Sequence, residues 1–191
     1  MARAEPSPEA GGTFVAVVGP SGVGKDSLLA YAAERLGSDP RFVFVRRIVT
    51  RAATADLEDH DSVTPEAFAD DANAGRFALH WQAHGLGYAL PGGLRDDLAQ
   101  GRVVIANISR GSITAARAQF ENCRIVSITA PREVLAARLA GRGRESAEDV
   151  AARLARAAQP IAGDDVCTLD NGGALADAGE ALVDLLTRYA G

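Results

Sequence analysis

The chain has 191 residues, 47% apolar and 24% charged, the proportions of one soluble domain large enough to bury a core without disulfides or structural metal. Its net charge of −5 argues against non-specific nucleic-acid binding, which needs a basic face. No apolar run approaches the ~18–20 residues that cross a bilayer, so no membrane partner is expected.

Residues 1–12, MARAEPSPEAGG, lack the apolar middle of a signal peptide and read as a flexible tail, so a cytoplasmic protein is expected. The β-branched run TFVAVV that follows is too short for a helix and reads as a buried strand. A glycine loop comes next, then Leu28, Leu29, Ala32, Ala33 and Leu36 repeat at helical spacing until Gly37. Further strands are expected over 42–49, 103–108, 124–129 and 166–169, with helices over 131–139, 147–159 and 174–189. This alternation predicts an α/β fold in three layers, a parallel central sheet between helices, with ligand at the carboxyl ends of the strands. Residues 51–93 break the rhythm; they hold all three histidines and the single tryptophan, and read as an inserted substrate-binding lobe. Cys123 and Cys167 have neither disulfide nor metal spacing and are expected in the core.

The loop is Gly19, Pro20, Ser21, Gly22, Val23, Gly24, Lys25, Asp26 and Ser27. Gly19, Gly24 and Lys25 fit the phosphate-loop pattern G-x-x-x-x-G-K-[ST], in the strand–loop–helix context that pattern needs. The glycines let successive N–H groups point into one concavity, and the helix adds its positive dipole end, a cradle for the polyphosphate of ATP. Of twenty basic residues Lys25 is the only lysine, in a chain that otherwise uses arginine. A compact ammonium folds under a phosphate chain where the wide guanidinium does not. Asp26 stands where the pattern has a hydroxyl. Beside a triphosphate its carboxylate is repelled unless a cation lies between, so one reading has Asp26 hold magnesium, directly or through water, while Ser27 donates to a phosphate. The other reading has Asp26 turn away to pair with an arginine.

A second cationic segment, RLAGRGRESAEDVAARLAR, spans 138–156. Gly141 and Gly143 flank Arg142, and Ser146 with Asp149 resembles a capping box opening the next helix. There Arg153 lies about 60° from Val150 on the helical wheel, so it either snorkels outward or points into a cleft. A mobile arginine loop over about 140–147 suits a lid that brings positive charge to a migrating phosphoryl group.

These motifs resemble the guanylate kinase-like group of nucleoside monophosphate kinases. Arg138, Leu139, Arg142, Gly143, Glu145, Arg153 and Leu154 are similar to its lid pattern R-L-x-x-R-G-x-E…R-L. Thr50, Arg51 and Glu58 are similar to its acceptor motif T-T-R-x-x-R-x-x-E. The resemblance implies a single P-loop NTPase (kinase) domain over 13–191, with the acceptor-binding lobe at about 51–93 and an arginine-bearing lid at about 140–147. Departures fall on the acceptor side. The second acceptor arginine falls on Thr54 and the phosphate-binding tyrosine near His60. The glutamate that reads guanine corresponds to Leu79, and the acidic pair after the middle strand to Asn107 and Ser109. Leucine accepts no hydrogen bond, which argues against guanine recognition.

The strings GPSGVGKDSLL, WQAHGLGY and GRGRE…ARLARA resemble one branch of that group, the ribose 1,5-bisphosphate phosphokinases of bacterial phosphonate metabolism, where an aspartate follows the loop lysine. The resemblance implies transfer of the ATP γ-phosphoryl group to a small-molecule sugar bisphosphate, with magnesium, giving 5-phospho-α-D-ribose 1-diphosphate. It implies Lys25, Arg138, Arg142 and Arg153 on the transferring phosphoryl group and Arg51 on the acceptor phosphate. Glu58, His60, Trp81, Gln82, His84 and Tyr88 are candidates for the acceptor pocket; surface histidines and a core tryptophan are the competing readings. A homodimer is compatible with the sequence. Two other functions stand beside this one, a guanylate kinase that reads its base with another residue and a non-catalytic peptide-binding module. The lack of an N-K-x-D guanine motif, for which Lys25 is the only lysine available, argues against a regulatory GTPase.

Overall fold

All six residues of strand β1 (Thr13–Val18) are buried, which requires cover on both faces of its sheet. The computed structural model describes residues 11–51, 60–140 and 160–191. Side chains alternate along β1, so Val15 and Val17 enter one hydrophobic cluster and Phe14, Ala16 and Val18 another. Around β1, strands β2 (Phe42–Phe44), β7 (Val103–Asn107), β8 (Cys123–Thr129) and β9 (Val166–Asp170) form a parallel sheet of order β2-β7-β1-β8-β9. Chain direction across the sheet reverses at β1, whose neighbours β7 and β8 lie on opposite sides, and the carboxyl end of β1 is therefore the place for a ligand.

The first cluster is closed by helices α1 (Lys25–Leu36) and α6 (Leu175–Tyr189), through Leu28 and Ala32 against Leu182 and Leu186. Ala178, Leu182, Leu185 and Leu186 make the apolar stripe of α6. A Cβ at Gly179 would sit 2.5 Å from Cδ1 of Tyr31, so a glycine is what allows α6 to lie this close to α1. The second cluster is closed by helix α4 (Ile113–Gln119) and by Leu79 and Leu90 of the inserted lobe. The expected three-layer architecture is present, and helix α5 (Arg132–Ala140) follows β8 as anticipated.

The lobe contains β3 (Arg47–Val49), β4 (His60–Ser62), β5 (Phe77–Ala83) and β6 (Leu86–Pro91) in a separate sheet of order β4-β3-β6-β5. Helix α2 (Pro65–Asn73) covers one face through Phe68, packed with Phe77 and Ala89. Thr64 caps α2 by accepting the Ala67 N–H at 3.2 Å, with Pro65 preset for the first turn. Helix α3 (Leu94–Ala99) returns the chain to the central sheet.

One expectation is corrected. Residues 42–49 are two strands in two sheets, β2 beside β7 and β3 between β4 and β6. The Val45 N–H still donates to the Ile105 carbonyl at 2.9 Å, after which the chain leaves for the lobe, which thus starts at Arg47 rather than near 51. Apolar patterning continues across the junction and carries no information about which sheet each half joins. Of the expected lid over 140–147 only Ala140, the last residue of α5, is described; the rest of it and the expected helix over 147–159 lie outside the described residues. Among the described residues no helix is long and apolar enough to cross a membrane.

Candidate active site

The glycine loop connects the carboxyl end of β1 to the start of α1, whose N-cap is Gly24, a residue with no side chain to satisfy the first helical N–H groups. Lys25 folds back over this loop, its Nζ donating to the carbonyls of Gly19 at 2.9 Å and Pro20 at 3.1 Å. The ammonium therefore stands beside uncapped N–H groups, an arrangement suited to an anion with several oxygens. Gly24 has φ 92°, a left-handed conformation, and a Cβ there would lie 2.6 Å from Nδ2 of Asn171.

That asparagine is the loop's tether. Asn171 follows β9, is 2% exposed, and donates from Nδ2 to the Val23 carbonyl at 2.7 Å. Arg138, on the last turn of α5, donates to the same carbonyl at 3.3 Å. The structure thus brings the Lys25 and Arg138 side chains to the same loop. Asn171 was not among the candidates; its position just past a strand of a parallel sheet is the signal that pointed to it.

Asp26 is exposed, and one carboxylate oxygen accepts from Nδ2 of Asn107 at 2.9 Å. Asn107 is 7% exposed at the carboxyl end of β7. Among the described residues the partner of Asp26 is thus an amide rather than an arginine, which orients the carboxylate without neutralising it. This donor set fits magnesium, which takes one or two carboxylates together with phosphate oxygens and water.

In the lobe, Arg51 is half-buried where β3 ends, and His60 is buried at 8% exposure in register with Arg47 across β3 and β4. Trp81 and Tyr88 face one another across β5 and β6, their rings stacked at 5.6 Å and 8°. The Arg47 guanidinium lies 5.8 Å from the Tyr88 ring centre on the same face. Trp81 also packs on the second core cluster, as its competing reading anticipates. Strand alternation sends Gln82 to the opposite face, where it is exposed. His84, at φ 52°, and Gly85 form the two-residue turn of the β5–β6 hairpin, so the structure does not bring His84 to the Tyr88 face. Glu58, Arg142 and Arg153 lie outside the described residues. Arg110, just beyond β7, was also not anticipated; burial lowers its pKa, a cost for a cation at the same sheet end as Asn107.

A cavity of about 300 Å³ lies at the other end of β1, beside Gly12, Phe14, Arg95 and Asn122. It is remote from the loop and from the strand ends where parallel sheets bind ligands.

Residues 15–159 match the family model described as an AAA domain. The chain is 55% identical over 163 residues to a protein of Brucella melitensis biotype 2 named ribose 1,5-bisphosphate phosphokinase PhnN, covering 85% of each. It is 46% identical over 179 residues to the protein of that name from Agrobacterium fabrum, covering 93% of this chain and 98% of the relative. Among solved structures, the guanylate kinase of Anaplasma phagocytophilum superposes with a TM-score of 0.68 at 20% identity, over 94% of this chain and 86% of that one. A gluconokinase of Sinorhizobium meliloti superposes with a TM-score of 0.54 at 19% identity, over 94% and 93%. Both likenesses are of fold. With lysine, arginine and glycine loop assembled at the strand ends of such a sheet, and with relatives of this identity over most of its length, the chain belongs to the ribose 1,5-bisphosphate phosphokinase family.

Proposed function

We propose that the chain transfers the γ-phosphoryl group of ATP to the 1-phosphate of ribose 1,5-bisphosphate, releasing ADP and 5-phospho-α-D-ribose 1-diphosphate. The bond from the γ-phosphorus to the bridging oxygen of the β-phosphate breaks. A bond from that phosphorus to an oxygen of the acceptor's 1-phosphate forms. That oxygen is already ionised at neutral pH, so the site needs no strong general base. Alignment and charge neutralisation supply the catalysis.

The observation that carries the choice of acceptor is Leu79. It occupies the position that reads guanine in the guanylate kinase-like group, and it is 6% exposed within the second core cluster beside Ala78 and Leu90. A base there would meet packed hydrocarbon instead of a hydrogen-bond acceptor, and a site without that acceptor does not select guanine.

Lys25 would follow charge onto the transferring oxygens, and Arg138, held against the loop, would join it. Arg142 and Arg153 are assigned the same task by sequence. Arg51 would hold the acceptor phosphate, with Glu58, His60 and Tyr88 around it. Gln82 and His84 keep their assignment to the pocket from the sequence pattern alone. Magnesium, when bound, neutralises charge on the donor phosphates; Asp26 would hold it directly or through water, with Asn107 fixing the carboxylate. The reaction belongs to the cytoplasm and to phosphonate utilisation.

The test is incubation with ATP and magnesium and either ribose 1,5-bisphosphate or GMP, followed by phosphorus NMR. A new sugar diphosphate signal with GMP untouched is the expected result. Conversion of GMP to GDP alone would overturn the acceptor, and silence with both would overturn the kinase.

A further inference from the structure

Two serines just past β7 hold helix-capping positions and cap nothing. Ser109 precedes the single helical turn Arg110–Ser112, and Ser112 precedes α4, yet neither side chain accepts a backbone N–H there. Their hydroxyl oxygens lie 2.7 Å apart and bond each other instead. We propose that Ser109 is a further ligand of the acceptor. Its O–H donates to an oxygen of the phosphate that becomes phosphorylated, and Ser112 acts through it as a positioning residue. The inference rests on the reading above, that the acceptor presents a phosphate and is held by the lobe.

Burial sets the direction of the bond between the serines. Ser112 is 3% exposed, whereas Ser109 is half-buried. Each hydroxyl carries one hydrogen and two lone pairs. Among the described residues Ser109 is the only hydrogen-bond partner of the Ser112 side chain. Were Ser109 the donor, the Ser112 hydrogen would be buried with nothing to accept it, an arrangement folded proteins avoid. Ser112 therefore donates to Ser109. The Ser109 hydrogen is left over, and among the described residues no group accepts it. Accepting from Ser112 also polarises the Ser109 O–H and strengthens it as a donor.

Place in the sheet says what it meets. β7 lies between β1, which carries the loop, and β2, from which the chain leaves for the lobe. A group reaching from the lobe to the loop crosses the end of β7. Val17 and Asn107 are the last pair in register on β1 and β7, and the Ile108 N–H still reaches the Val17 carbonyl at 3.1 Å. Two residues beyond that pair come Gly19, whose carbonyl holds Lys25, and Ser109. The spare donor thus stands near the loop lysine, on the side from which the acceptor arrives. A neutral hydroxyl suits that place. It aligns the attacking phosphate without a full positive charge, which would draw electron density from the oxygen that must form the bond.

The experiment measures kcat/KM for ribose 1,5-bisphosphate at saturating ATP and magnesium. It compares the wild type with Ser109→Ala, Ser109→Thr, Ser109→Asp, Ser112→Ala and the double alanine variant. Ser109→Ala is expected to lose about 10- to 100-fold, the range for a hydrogen bond to a charged group. Ser109→Thr keeps the hydroxyl and should stay within about fivefold of the wild type, while Ser109→Asp, whose carboxylate repels the phosphate, should fall below Ser109→Ala. Ser112→Ala should lose about 2- to 5-fold alone and nothing further once Ser109 is alanine. A threonine no better than alanine, an aspartate no worse, or a Ser112 loss that persists without the Ser109 hydroxyl would each overturn the assignment. If the wild type phosphorylates GMP and not the sugar, the sugar reading fails; the same variants assayed with GMP, also a phosphate acceptor, then decide Ser109. Silence with both acceptors would overturn both.

Discussion

Replacing Gly24 by alanine tests the loop at its tightest point. Alanine must first adopt φ 92°, which costs an L-residue about 1–2 kcal/mol. Its Cβ would then lie 2.6 Å from Nδ2 of Asn171, and this amide must retreat from the Val23 carbonyl it holds at 2.7 Å. That forfeits a buried hydrogen bond with a net value of about 1 kcal/mol, softened because Arg138 still reaches the same carbonyl. The sum is about 2–3 kcal/mol. Asn171→Ala alone should cost about 1 kcal/mol, and the double variant no more than Gly24→Ala, because the bond cannot be lost twice. Urea denaturation of the four proteins measures this cycle, and binding of a fluorescent ATP analogue completes it. If the loop of Gly24→Ala relaxes, the deficit moves from stability to ATP affinity, up to about 100-fold, with the total conserved. Additive single effects, or a total below about 0.5 kcal/mol, would refute the close approach as the reason for glycine.

Lys25→Arg should retain the fold and lose about 100-fold or more in kcat, since the wider guanidinium cannot sit on the Gly19 and Pro20 carbonyls; steady-state kinetics check it. Asn107→Ala should raise by about 3- to 10-fold the manganese concentration that half-saturates the protein–ATP complex in an EPR titration, and Asp26→Asn should raise it further. Unchanged metal binding in Asp26→Asn would remove the metal role. Arg117 donates to both carboxylate oxygens of Asp165 at 2.8 Å and holds its pKa below the ordinary 3.8. The pair therefore stabilises the fold above that value and loses its contribution as pH falls through the lowered one. The gap between wild type and Asp165→Asn, about 1 kcal/mol at neutral pH, should close below about pH 4 in denaturant titrations.

What the sequence determined is local. The β1 run, the glycine loop, the lone Lys25 and the helix after them are contiguous, and the bounds Thr13–Val18 and the helix ending before Gly37 follow from patterning over a few residues. Alternating strands and helices likewise carried the parallel three-layer architecture, because buried parallel strands read as apolar runs and their crossovers as helical stripes. The tertiary structure decided what joins distant residues. Asn107 meets Asp26 across 81 positions and Asn171 meets the loop across 148, and both partners sit just at or past strand ends, where strand register rather than composition sets the neighbours. The division of 42–49 between two sheets was equally illegible, since Phe44 and Arg47 belong to one β-branched stretch and diverge only because each half finds a different partner strand. Periodicity reports which face of an element is buried, and only packing reports against what.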